Sequence, residues 1–209
     1  MTKSAEWLPL FKLATRILSN EKVLKNQWSF GGGTALMTYY NHRKSKDVDI
    51  FLSDVQLLTR FTPRLNDYVA ERVDDYTEMS SYLKLKIKQQ EIDFIVAPFL
   101  TQRPTTMKLI GGKQVNVETP EEIVIKKIFY RADSFKTRDV FDLAVVIKDK
   151  ADGLLENIAV YQNKLPVLRH RLKTLKQVYN IELKALDIID RRIAKDAFEV
   201  VLNFVDELT

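Results

Sequence analysis

Apolar positions recur along the chain at two different periods, and the switch between them marks its organisation. Over residues 5–18, Trp7, Leu10, Phe11, Ala14, Ile17 and Leu18 fall at helical spacing, which predicts an amphipathic first helix. Residues 23–30 lead into Gly31, Gly32, Gly33 and Thr34. Three glycines between apolar segments read as a tight turn that exposes backbone, and Ala35-Leu36-Met37 reads as the helix start beyond it. Residues 47–52 alternate polar and apolar and then become apolar, as a partly buried strand does. Helical spacing returns over 55–72, with Pro63 expected at the first turn of a second helical piece. In 82–88 the alternation is strict: Leu83, Leu85 and Ile87 share one face and Lys84, Lys86 and Lys88 the other. Residues 91–96 form a second strand close enough to pair with it as a hairpin. Gly111 and Gly112 separate two short strands at 106–110 and 114–118.

The texture changes at Thr119-Pro120-Glu121-Glu122. A threonine cap, proline at the first helical position and acids in the first turn signal a helix start. From there to residue 209 nearly everything is helix-compatible, with Gly153 and Pro166 as breaks. The expected class is therefore α+β, a mixed α/β domain over 1–119 followed by a helical domain over 120–209.

Composition narrows the chemistry. A chain of 209 residues that is 45% apolar and 29% charged is an ordinary globular one. It has no cysteine, which removes disulfides, thiolate zinc sites and a cysteine nucleophile together. With only His42 and His170 present, a His-rich metal site is not expected. No apolar run reaches the roughly 18–20 residues that span a bilayer. The charged first twenty residues lack the apolar core of a signal peptide, so a cytoplasmic location is expected. Lysine and arginine exceed aspartate and glutamate by 33 − 28 = 5, which is compatible with an anionic partner and weak support for one.

The candidate chemistry lies in an ordered set. Strand geometry puts Asp47 and Asp49 on one face with Cα atoms about 6.5 Å apart, close enough to share hard cations. Asp93, on a separate strand, could lie beside them in the same sheet. Three converging carboxylates repel one another and persist most easily around a cation. The glycine turn complements them: Gly31, Gly32 and Gly33 let backbone N–H groups approach a polyphosphate at a helix N-terminus, and Thr34 could donate to a phosphate oxygen. Together these residues describe two-metal nucleotidyl transfer. Asp93 is then the group to accept a proton from, or position, the attacking hydroxyl. The alternative is a strand acid paired with Lys84 or Lys86.

Residues 30–36, Phe-Gly-Gly-Gly-Thr-Ala-Leu, and 42–51, His-Arg-Lys-Ser-Lys-Asp-Val-Asp-Ile-Phe, resemble the AbiEii/AbiGii nucleotidyltransferase-like toxin family. Its pattern there is Gly-Gly-Thr-Ala-Leu, then Arg-x-Ser-x-Asp-hydrophobic-Asp. Lys127-Ile128-Phe129-Tyr130-Arg131 and Arg138-Asp139-Val140-Phe141-Asp142-Leu143 resemble the family's lysine-bearing helix and its later Arg-Asp-x-x-Asp-Leu block. The resemblance covers about 28–52 and 119–146. It implies a polymerase-β-like nucleotidyltransferase fold with a mixed sheet, flanking helices and a C-terminal helical bundle that completes the active-site cleft. It also implies a toxin of a toxin–antitoxin or phage-defence operon, related to MenT enzymes that extend tRNA acceptor ends. By motif position Asp47 and Asp49, with Asp93, would hold Mg²⁺. Gly32, Gly33 and Thr34 would face the NTP, Lys127 would grip a phosphate, and Asp139 would be the later acid.

Other residues remain open at this level. Lys127 and Arg131, four apart, share a helical face and could form a cationic wall or simply be solvated. Arg43 and Ser45 could bind phosphate or buttress the strand, Asp142 could be structural, and His42 reads as a loop residue. In 164–180, Arg169, Lys173 and Lys176 line one helical face opposite Leu168, Leu172 and Leu175. That face is a candidate RNA-backbone stripe or a solvated surface. The expected activity is Mg²⁺-dependent NMP transfer from an NTP to an RNA, with a tRNA acceptor end foremost. Transfer to a protein or small molecule, and a silent nucleic-acid-binding module, are the alternatives. A cognate antitoxin is an expected partner.

Overall fold

Leu83, Leu85, Ile92, Phe94, Val48, Ile50 and Leu52 are all buried, and the residues alternating with them are not. That single-sided burial is what the strand period demands of a sheet packed on one face. In the computed structural model, which describes residues 6–209, these positions lie in a seven-stranded sheet. The start predicted for the first helix, at residue 5, lies outside the described residues.

Helix α1 (Leu8–Asn20) is followed by β1 (Trp28–Gly31), α2 (Gly32–Tyr40), β2 (Val48–Leu52) and the short α3 (Gln56–Phe61) and α4 (Asp67–Ala70). Then come β3 (Asp75–Glu78), β4 (Tyr82–Ile87), β5 (Gln90–Val96), β6 (Thr105–Ile110) and β7 (Lys113–Glu118). The strand order is β3-β4-β5-β2-β1-β7-β6. β2 runs parallel to β5 and β1 parallel to β7, while the other neighbours are antiparallel. The sheet is therefore mixed. On its apolar side α1 buries Leu10, Phe11, Ala14, Ile17 and Leu18. Trp7 stacks on Phe30 at 5.6 Å between ring centres, and Phe61 of α3 meets Phe94 at 4.7 Å.

The chain separates into two compact units. The first takes residues up to 35, 45–99 and 105–118, and the second takes 36–44, 100–104 and 119–209. The second unit contains α5 (Pro120–Arg131), α6 (Thr137–Leu155), α7 (Ile158–Tyr161), α8 (Leu165–Lys184), α9 (Arg191–Ala194) and α10 (Ala197–Glu207). Thr119 caps α5, its hydroxyl accepting from the Glu122 N–H. Glu122 is fully buried and accepts from the N–H groups of Leu100 and Thr101, which ties the 100–104 segment to this helix. Leu168, Leu172 and Leu175 of α8 are buried, and Tyr179 packs on Phe198 of α10 at 4.9 Å.

Some boundaries differ from the sequence expectation. Helix α2 begins at Gly32, so Gly32 and Gly33 form its first turn instead of preceding it. β2 starts at Val48, leaving Asp47 one residue ahead of the strand. Pro63 lies in a turn, and α4 starts only at Asp67 with Asn66 as its cap, because the Asn66 side chain accepts from the Val69 N–H. β3 has no counterpart in the sequence reading: its residues are exposed or half-exposed and carry no apolar alternation. None of the helices among the described residues is long and apolar enough to cross a membrane.

Candidate active site

The polar face of the sheet in the first unit carries two cross-strand rows. Register places Gly31 opposite Asp49, Asp49 opposite Asp93, Asp93 opposite Lys84 and Lys84 opposite Thr77. Directly opposed residues project from the same side of a sheet, so Asp49, Asp93 and Lys84 are lateral neighbours. One step along, Glu91 is opposite Lys86, and Lys86 opposite Asp75. The Glu91 N–H donates to the Asp47 carboxylate at 3.1 Å, which brings Asp47 to the same end of the face.

Asp49 is held in place by the absence of a side chain. Gly32 has φ +69°, and a Cβ built on it would stand 1.8 Å from Asp49 Oδ2. Only glycine tolerates both that backbone conformation and that approach. The carboxylate therefore sits against the first turn of α2, where peptide N–H groups lack intrahelical partners. Gly31 is equally confined, because a Cβ there would meet Glu118 Oε2 at 2.4 Å and the Phe51 ring at 2.5 Å. Thr34 is fully buried. Its hydroxyl donates to the carbonyl of Asp47 and lies 2.9 Å from the Ser45 hydroxyl. Thr34 and Ser45 thus brace the glycine turn against the approach to β2, and their hydroxyls are engaged within the protein.

Lys84 joins the acids from β4. Its ammonium bonds to Glu91 and lies 3.1 Å from the carboxylate of Asp93. Burial pushes the Asp93 carboxyl above its ordinary value, with Lys84 pulling the other way. For Lys84, burial pulls the ammonium down, but Glu91 and Asp93 outweigh it and the net shift is upward. Lys86 turns instead to Asp75 at 2.8 Å. Among the described residues, no three carboxylate, histidine or cysteine side chains are already gathered at metal-ligand spacing.

The second unit holds the other predicted residues in a buried ionic cluster. Asp142 is fully buried and accepts from His42 Nε2 at 2.7 Å, from Arg43 Nε at 2.7 Å and from Arg43 Nη2 at 2.8 Å. The Lys127 ammonium bonds to Asp142 and lies 3.0 Å from Asp139 Oδ1, to which Arg131 also donates. Asp139 Oδ2 accepts from the Lys136 N–H and so closes the start of α6. Burial alone would lift both carboxyls. The adjacent Lys127, with Arg43 for Asp142 and Arg131 for Asp139, overrules it and holds them low, Asp142 well below its ordinary value. Lys126 is paired apart from this cluster, 3.3 Å from Glu122.

Arg43, Lys127, Arg131 and Asp139 are thus brought together, and all four are occupied by one another or by Asp142. Sequence reasoning allowed Asp142 a structural role and placed His42 in a loop; the structure makes Asp142 the hub of the cluster, with the loop residue His42 bonded to it. Nothing local could have paired two residues a hundred positions apart. Between Lys84 and Lys86, which the sequence left open as partners of Asp93, the register decides: the turn falls at Lys88-Gln89 and sets Lys84 opposite Asp93. The row on α8 is partly neutralised, since Arg169 pairs with Asp206 at 2.6 Å and Lys176 with Glu199 at 3.5 Å.

A family model described as the nucleotidyl transferase AbiEii toxin of type IV toxin–antitoxin systems matches residues 16–199. Among curated proteins, none matches the chain by sequence. Several solved structures share the fold. An H. pylori protein described as a candidate nucleotidyltransferase is 19% identical with a TM-score of 0.56, covering 99% of this chain and 96% of that one. JHP933 from Helicobacter pylori is 18% identical at the same TM-score, covering 99% and 93%. ANT(2")-Ia, solved in complex with adenylyl-2"-tobramycin, is 16% identical with a TM-score of 0.53, covering 75% and 98%.

Proposed function

The chain belongs to the AbiEii family of nucleotidyltransferase toxins, and from that premise we propose that it moves a nucleoside monophosphate from an NTP onto an RNA, foremost a tRNA acceptor end, with Mg²⁺. The observation that carries this reading is Asp49 pressed against the side-chain-free Gly32 with Asp93 beside it in register. The donor set suits the metal: carboxylate oxygens on one face, chemically hard and able to leave room for water and phosphate. Asp47 and Asp49 would hold it, with Asp93 as the third acid. Bound there, Mg²⁺ supplies positive charge to the triphosphate and to the attacking oxygen.

The chain's own residues do the rest. Gly32 and Gly33 bring no side chain to the first turn of α2, and a helix N-terminus favours an anion there. Thr34 and Ser45 act as braces that fix this turn to the acidic approach of β2. Asp93, raised by burial, is suited to take the proton of the acceptor hydroxyl. The hydroxyl oxygen bonds to the α-phosphorus, the bond to the β-phosphate oxygen breaks, and pyrophosphate leaves. Lys127 is assigned to phosphate binding by its motif position and Arg131 by sharing its helical face, with Asp139 and Asp142 holding Lys127 and Asp139 holding Arg131 in place. Arg43 contributes through Asp142.

The test is to incubate the protein with α-labelled NTPs, total RNA and cell protein, then locate the label. Label in the tRNA fraction of the wild type, and none with Asp49→Ala of unchanged circular dichroism, is the expected result. Label in protein or small molecules would reassign the acceptor, and no label anywhere would favour a silent binding module. We place this activity in the cytoplasm, where tRNA and NTPs are found, and expect a separately encoded antitoxin to counter it.

A further inference from the structure

We propose that Lys84 is a positioning residue that sets the divalent-cation affinity of the acidic face: its ammonium competes with a metal ion for Asp93, and Glu91 is the seat it keeps when Asp93 turns to the metal. This rests on the reading of Asp47, Asp49 and Asp93 as metal-holding residues. Lys84 faces Asp93 across the β4–β5 ladder and bonds to Asp93 and Glu91 at once. Glu91 and Asp93 are two residues apart on β5, so they project from the same face and can share one cation. Only 26% of the Lys84 side chain and 21% of the Asp93 side chain are exposed, so their attraction is not screened as it would be in open water.

Two further observations separate this from an ordinary hairpin ion pair. Lys86, the other lysine of β4 on this face, is turned to Asp75 and leaves Asp93 to Lys84. The second partner, Glu91, offers the ammonium a place to withdraw to without leaving the sheet. An ammonium beside a metal-binding carboxylate opposes the metal by like-charge repulsion. One with an alternative carboxylate opposes it less. The two neighbours of Asp93 should therefore act in opposite directions.

Titration with Mn²⁺ as probe, read by electron paramagnetic resonance of the free ion and without NTP, measures this directly. Lys84→Met should bind Mn²⁺ about tenfold more tightly than wild type. Glu91→Gln should bind it more weakly by a similar factor, because Lys84 is then confined to Asp93. The double variant should behave like Lys84→Met, and Lys84→Arg should return toward wild type. A lysine serving only to hold the hairpin would weaken binding when lost, and Lys84→Met binding no tighter than wild type overturns the proposal. If Lys84→Met does not fold, Glu91→Gln binding as well as wild type overturns it equally. Asp49→Asn separates the levels: wild-type binding that does not depend on Asp49 removes the metal reading and this one with it. Dependence on Asp49 combined with an unresponsive Lys84 removes this one alone.

Discussion

Gly32 and Asp142 are the two residues on which most depends, for opposite physical reasons. At Gly32 the requirement is emptiness. Gly32→Ala would drive a methyl group into the Asp49 carboxylate and force a side chain into a left-handed conformation costing about 1–2 kcal/mol. On the proposed reading of Asp49 as a metal-holding acid, displacing its carboxylate by about 1 Å costs about 100-fold in rate. Nucleotide incorporation by this variant should fall by at least that factor in a single-turnover assay, with a modest loss of stability in urea. At Asp142 the requirement is occupancy. Asp142→Ala leaves Lys127 and Arg43 buried without their shared counter-charge, a change that costs about 3–5 kcal/mol where one partner of a buried pair is removed. Urea denaturation should show that loss, far larger than for the exposed pair Lys176–Glu199, where removal of either partner should cost less than about 1 kcal/mol.

Among the elements, α5 has the most explicit local instructions, and its cap can be tested alone. Thr119→Ala removes the acceptor of the Glu122 N–H and should lower stability by about 1 kcal/mol, measured as a shift in the urea midpoint at unchanged slope. The same element shows why much of the fold was legible. Thr119, Pro120 and the acids after them act within one turn, and Leu83, Leu85 and Ile87 signal their strand by period alone. β3 was invisible because an exposed edge strand needs no apolar alternation. Asp49 and Asp93 on strands, with Asp47 one residue ahead of β2, were legible as a candidate site because carboxylates are unusual in such positions. Thr34 was expected at a phosphate and is instead a buried brace, since the sequence shows a hydroxyl but not the carbonyl of Asp47 that it meets. Arg43 is the parallel instance: its positive charge is plain in the sequence, and its partner lies 99 residues away.

For the molecule as a whole, the depressed carboxyls of Asp139 and Asp142 tie stability to acid. Their folded values lie below the unfolded ones, so their contribution is complete above about pH 4 and is lost as the pH falls further and they protonate. Urea midpoints measured from pH 7 downward should hold steady in this respect until about pH 4 and then drop. Asp142→Asn should be less stable than wild type at pH 7, and that gap should narrow below pH 4. A convergence absent down to the onset of acid unfolding would show that other groups dominate. The hub around Asp142 also draws on His42 and Arg43, which precede α5 by more than seventy residues yet belong to the helical unit. A gene truncated at codon 119 to produce the helical half by itself would thus encode an aspartate stripped of its imidazole and guanidinium. Any fragment meant for expression would have to carry residues 36–44 with it, appended through a linker or by circular permutation.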